Sequence, residues 1–172
     1  VADISIVGNN ALSERKLRSA LPLGVHHFWS VFTSSAQYNQ DRLTASLEAL
    51  QSYYLSRGYL KFKIDSTQVT LTQDRKTAYL IIHVTEGPLY KISTYQLSGR
   101  LIVAQAKLEK VLGSLRGGQP FSREKVLEVE QGIKKELGDF GYIFATVNTL
   151  PDVDEKNKTV ALTFYVDPGN RV

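Results

Sequence analysis

Apolar residues recur along the chain with two periods, and the two alternate in a fixed order. Leu43, Leu47, Leu50 and Tyr54 fall at i, i+4, i+7 and i+11, one stripe of a helix. Val126, Val129, Ile133 and Leu137 repeat that stripe later in the chain. Gly58 and Gly141 follow the two stripes as stops, each with a tyrosine after it, Tyr59 and Tyr142. The period then changes to two. Ala78, Leu80, Ile82 and Val84 alternate with Tyr79, Ile81, His83 and Thr85, and Val160, Leu162, Phe164 and Val166 do the same, which predicts strands. Upstream, short strands are predicted at Ile4–Val7 and Lys91–Leu97, closed by Gly8 and Gly99. Short helices follow, over Ser13–Leu21 with Ser13 as N-cap and over about Val103–Leu112.

The landmarks recur in order. Ile4–Asn9 matches Tyr95–Arg100, Arg57–Tyr59 matches Phe140–Tyr142, and Val84–Gly87 matches Val166–Gly169. Two modules are therefore expected, residues 1–87 and 88–172, meeting at Gly87-Pro88-Leu89, which is too short to be a free linker. Each reads β-α-α-β-β, an α+β fold whose small three-stranded mixed sheet carries both helices on one face. The first loop, apolar at His27–Trp29 and Val31–Phe32, is expected to pack down, and turns are expected at Gln73–Lys76 and Asp154–Asn157. In the middle strand of the first module, apolar residues sit at even positions (Phe62, Ile64) and then at odd ones (Val69, Leu71). One face cannot stay buried across that change of parity without an extra residue, so a β-bulge is predicted within Asp65–Gln68.

Composition narrows the chemistry. The 172 residues include no Cys and no Met. Disulfides and thiolate chemistry are excluded, while the compartment is left open. The first residue is Val1, so the chain reads as a segment of a longer polypeptide, with Arg171–Val172 expected to open a third module. No apolar run approaches the roughly 18 to 20 residues of a membrane helix. The net charge of +4 divides evenly, with nine basic and seven acidic residues up to Gly87 and twelve and ten after it. Interleaved charge of this kind is a solvated surface and not the basic face of a nucleic-acid binder. His26 and His27 are adjacent, and His83 lies in a strand, so no metal-ligand spacing occurs. Gly113–Gly118 lacks the Lys-Ser/Thr of a phosphate loop, and no nucleophile elbow is present. Neither an enzyme nor a cofactor or metal site is expected. What remains is backbone: the strand from Lys61 to Thr72, with Lys61, Lys63 and Asp65 between apolar residues, is a sheet edge that either repels or accepts another chain.

The stretches Leu47–Tyr59, Ile64–Val69 and Asp167–Arg171, with the motif positions Gly8, Gly58, Tyr59, Gly87, Gly99, Gly141, Tyr142 and Gly169, resemble POTRA domains of the Omp85 family, the third and fourth of a longer series. The resemblance implies a periplasmic scaffold of a Gram-negative outer-membrane protein whose C-terminal barrel lies beyond this chain. It implies docking of a BamB-like accessory lipoprotein and of unfolded outer-membrane protein clients by β-augmentation. Neighbouring POTRA domains of the parent are also implied as partners, and nucleic acid is not. Carried over, the docking edge is Lys61–Leu71, with Lys61, Asp65, Val69 and Leu71 as the partner-binding residues. Two alternatives stand beside this: a POTRA pair of a two-partner secretion transporter, and a nucleic-acid-binding α/β module.

Overall fold

The computed structural model describes residues 3–21, 36–71, 73, 78–102 and 105–171. The apolar loop at His27–Phe32, the histidines 26 and 27, most of the Gln73–Lys76 turn and Val172 lie outside these residues. The chain forms two compact units, one of residues up to Leu55 with Tyr59–Pro88, the other of Ser56–Gly58 with the residues from Leu89 onward.

In the first unit β1 (Asp3–Val7), α1 (Glu14–Ala20), α2 (Ala36–Leu55), β2 (Lys63–Leu71) and β3 (Ala78–Thr85) follow in order. The second unit repeats the order with β4 (Lys91–Gly99), α3 (Gln105–Leu112), α4 (Arg123–Asp139), β5 (Thr146–Asp154) and β6 (Thr159–Asp167). The last strand of each unit is central: β1-β3-β2 in one sheet and β4-β6-β5 in the other. It runs parallel to the first strand and antiparallel to the second, so each sheet is mixed. Its helix-facing residues form the floor of the core. Leu80, Ile82 and Val84 pack with Ile4, Ile6, Leu17, Leu50 and Tyr54. Val160, Leu162, Phe164 and Val166 are likewise buried, as is the whole stripe Val126, Val129, Ile133 and Leu137 on α4. In α2 the stripe is graded, with Leu50 and Tyr54 buried and Leu43 and Leu47 partly so.

Local chemistry sets the ends of these elements. Ser13 precedes α1, but its side chain makes no capping bond; its carbonyl accepts from the amides of Lys16 and Leu17 instead. Ser122 caps α4 through its side chain, accepting from the Lys125 amide at 3.3 Å. At the expected second turn, Asp154 accepts from the amides of Lys156 and Asn157, both at 2.9 Å. The motif glycines 8, 58, 87, 99, 141 and 169 all have positive φ. At Gly8 and Gly99 a Cβ would collide with the carbonyl oxygen of Val84 and of Val166, so the chain turns away from the sheet where no side chain fits.

A buried carboxylate ties the first unit together. Glu86, just past β3, is 8% exposed. It accepts from the amides of Asn10 at 3.0 Å and Ala11 at 2.9 Å, and from the Tyr54 hydroxyl at 2.8 Å. These bonds join the turn after β1, the last turn of α2 and the end of β3, and they compensate the cost of burying a charge. The Tyr54 ring stacks on Phe62 with centroids 4.1 Å apart and meets the edge of Tyr59 at 5.5 Å, which carries the anchor to the start of β2. In the second unit the repeat places Pro168 and Leu137, both buried, where the first has Glu86 and Tyr54.

Burial, the hydrogen bond to Glu86 and the charge of that carboxylate push the Tyr54 phenol above its ordinary range, and burial does the same to Tyr59 with a smaller contribution from Glu86. Below about pH 10 the phenols of folded and unfolded chains are both protonated. Above it the unfolded chain releases protons that the folded chain retains, so stability falls as pH rises. Tyr54→Phe is expected to cost about 1.5–3 kcal/mol at neutral pH, the worth of a hydrogen bond to a charged group. It should also flatten the alkaline decline of the first unit; urea unfolding followed across pH 7 to 11 measures both effects.

Candidate docking edge

Among the described residues β2 pairs only with β3, so its other side is an open edge among them. The register shows how it is built. Lys63 and Ile64 oppose Thr85 and Val84, then the pairing shifts, and Ser66 opposes His83. Asp65 is the extra residue, inside the stretch where the change of parity predicts a bulge. Beyond it Thr67 and Val69 pair with the buried Ile82 and Leu80, so the odd positions now share the helix-covered face. Val69 is nonetheless 50% exposed.

The four predicted residues are placed differently. Asp65 sits at the bulge, accepting from the Thr85 hydroxyl at 2.6 Å and lying 3.6 Å from the Lys63 ammonium. That ion pair is exposed and contributes little. Val69 lies mid-strand, and Leu71 ends the strand opposite Ala78. Lys61 is not on the strand: it is exposed in the turn before it, which the Phe62 amide closes onto the Tyr59 carbonyl at 3.1 Å. The edge thus begins at Lys63 and not at Lys61, since the Tyr59–Phe62 turn uses the backbone first.

The direction of the backbone groups follows from β3. The Val84 carbonyl faces Gly8 at the end of β1. Groups on a central strand alternate between its two neighbours, so Leu80, Ile82 and Val84 bond towards β1. Their partners on β2, Val69 and Thr67 among them, therefore turn their amides and carbonyls outward. Glu86 is the supporting residue that sequence reasoning missed. Its signal was the same alternation: Val84 in, Thr85 out, Glu86 in, which puts a carboxylate on the buried side. It anchors the end of β3 next to Thr85, whose hydroxyl donates to Asp65 at the bulge.

Among the described residues no group of three His, Asp or Glu is placed to hold a metal ion, and no helix is long and apolar enough to cross a membrane.

If the bulge sets the register, Asp65→Ala should change stability by under about 1 kcal/mol, because only exposed contacts are lost. Deleting Asp65 should cost about 2 kcal/mol or more, since either Ile64 leaves the core or Thr67 and Val69 change face. Equal urea midpoints for the two variants would contradict this.

Comparison with known proteins agrees with the repeat. The family model for POTRA, described as surface antigen variable number repeat, matches residues 1–87 and again 90–169. The outer membrane protein assembly factor BamA of Buchnera aphidicola is 33% identical over 171 residues, 99% of this chain and 28% of that protein. BamA of Neisseria meningitidis is 27% identical over 173 residues, 100% of this chain and 22% of the relative. The crystal structure of Haemophilus influenzae BamA POTRA3-5 superposes with a TM-score of 0.76 at 31% identity, covering 99% of this chain and 66% of that one. The chain spans less than a third of the length of these curated relatives. A family model that matches twice in tandem, on a fold that twice builds the same β-α-α-β-β unit, makes this chain a member of the POTRA family.

Proposed function

We propose that this chain is a periplasmic scaffold segment of an outer-membrane β-barrel assembly factor, and that it docks partners by adding a strand to β2. The observation that carries this reading is the outward-facing backbone of β2 beside a half-exposed Val69. Main-chain bonds along such an edge are indifferent to sequence, and alternate side chains add selectivity. That suits an accessory lipoprotein such as BamB and, more weakly, unfolded outer-membrane proteins in transit to a barrel. The names of the BamA relatives support the assembly role, and with it a location in the periplasm as part of an outer-membrane protein. The role is binding, with main-chain pairing in place of catalysis. Lys63, Asp65, Val69 and Leu71 form the edge, and Lys61 flanks it.

Val69→Pro tests the edge. The Val69 amide bonds no neighbour within the sheet, so proline removes a donor the fold does not use while denying it to an incoming strand. The variant is expected to keep its melting temperature within a few degrees and to weaken binding of the purified accessory lipoprotein by about tenfold or more in biolayer interferometry. Undiminished binding by a folded Val69→Pro chain would overturn the reading.

A further inference from the structure

The two units present equivalent edges, β2 and β5, but the edges are not chemically equivalent. Val69 of β2 pairs with Leu80, four residues before Val84. Its counterpart on β5 pairs with Leu162, four residues before Val166, and that counterpart is Pro151. The second unit therefore already carries proline where the first carries valine.

The orientation of Pro151 is fixed by its surroundings. The Val166 carbonyl accepts from the Arg100 amide at 3.0 Å, on the β4 side of β6. By alternation Val160, Leu162 and Phe164 also bond towards β4, while Ala161, Thr163 and Tyr165 bond to β5. The β5 partners of the first set, Val147, Thr149, Pro151 and Val153, turn their backbone outward. Pro151 thus breaks no bond of its own sheet, and the ladder runs unbroken on both sides of it. It deletes the central donor of the outward row. Without it β5 would be adhesive, because it lacks the bulge of β2 and leaves Leu150 58% and Val153 38% exposed. Asp152 and Asp154, both exposed, add charge to the same strand.

We infer that Pro151 closes the β5 edge, so that of the two equivalent edges β2 and β5 only β2 accepts a strand, and β5 neither captures a second extended segment nor pairs with another copy of the chain. The role assigned to β2 rests on the docking reading above; the closure of β5 does not.

The test compares the full chain with Pro151→Val and Val69→Pro, each checked for folding by circular dichroism, with Pro151→Thr as a second opener should the valine variant be insoluble. The probe is a peptide of alternating valine and threonine with a lysine at each end, titrated calorimetrically, and self-association is followed by sedimentation. The unsubstituted chain is expected to take about one peptide and stay monomeric, and Val69→Pro to take none. Pro151→Val is expected either to take about two peptides or to dimerise, with new amide protection at Thr149 and Val153. Folded Pro151→Val and Pro151→Thr chains that gain neither peptide binding nor self-association over the unsubstituted chain would overturn the closure. An unsubstituted chain that binds no strand would instead overturn the docking role of β2, and a gain on opening Pro151 would still uphold the closure.

Discussion

Each sheet is three strands wide and carries its helices on one face, so the two-residue period of a strand governs everything built on it. A residue on the wrong parity is placed in water or in the core with no intermediate choice. In β2 the single extra residue Asp65 moves the helix-facing set from even to odd positions, from Ile64 to Thr67 and Val69. In β4 the two residues Ser93 and Thr94 stand against Ala161 alone, between the pairs Ile92–Val160 and Tyr95–Leu162. Both bulges lie next to the central strand, which stays regular and forms the floor of the core.

The same parity delivers a carboxylate to the inner side of the sheet at Glu86 and a proline at Pro168, and the units respond differently. The first satisfies its charge with two amides and a phenol, joining three segments distant in sequence through one group. The second has no such charge and fills the place with Pro168 and Leu137. At this one position the first module uses directional polar bonds and the second apolar packing, under one fold. Thr85, next to Glu86 in the chain, makes the contact to Asp65 at the bulge.

Much of this is legible in the sequence alone. The stripes on α2 and α4 and the alternation on β3 and β6 have single readings, and their recurrence sets the module order. The bulge at Asp65 was readable because apolar residues change parity there; the β4 irregularity had a similar signal in Ile92 against Tyr95 and Leu97, carried by fewer apolar residues. Lys61 looked like part of the strand, since its alternation with Phe62 continues that of Lys63, yet the turn closed by Tyr59 takes its backbone first. Glu86 and Pro151 escaped because each becomes informative only with a register: one through the face it occupies, the other through the side to which its missing donor points.

An edge whose donors point away from the sheet, a bulge that sets its face, and a proline at the equivalent place in the sister unit together mark β2 as the open one of two equivalent strands. The most direct measurement is amide hydrogen exchange along β2 with and without a bound accessory lipoprotein. Pairing at this edge predicts slowed exchange at alternate residues, Thr67, Val69 and Leu71, with little change at Gln68 and Thr70, whose amides already bond to β3. Protection confined to the helices or to the outer sheet face, with those three amides unchanged, would contradict it.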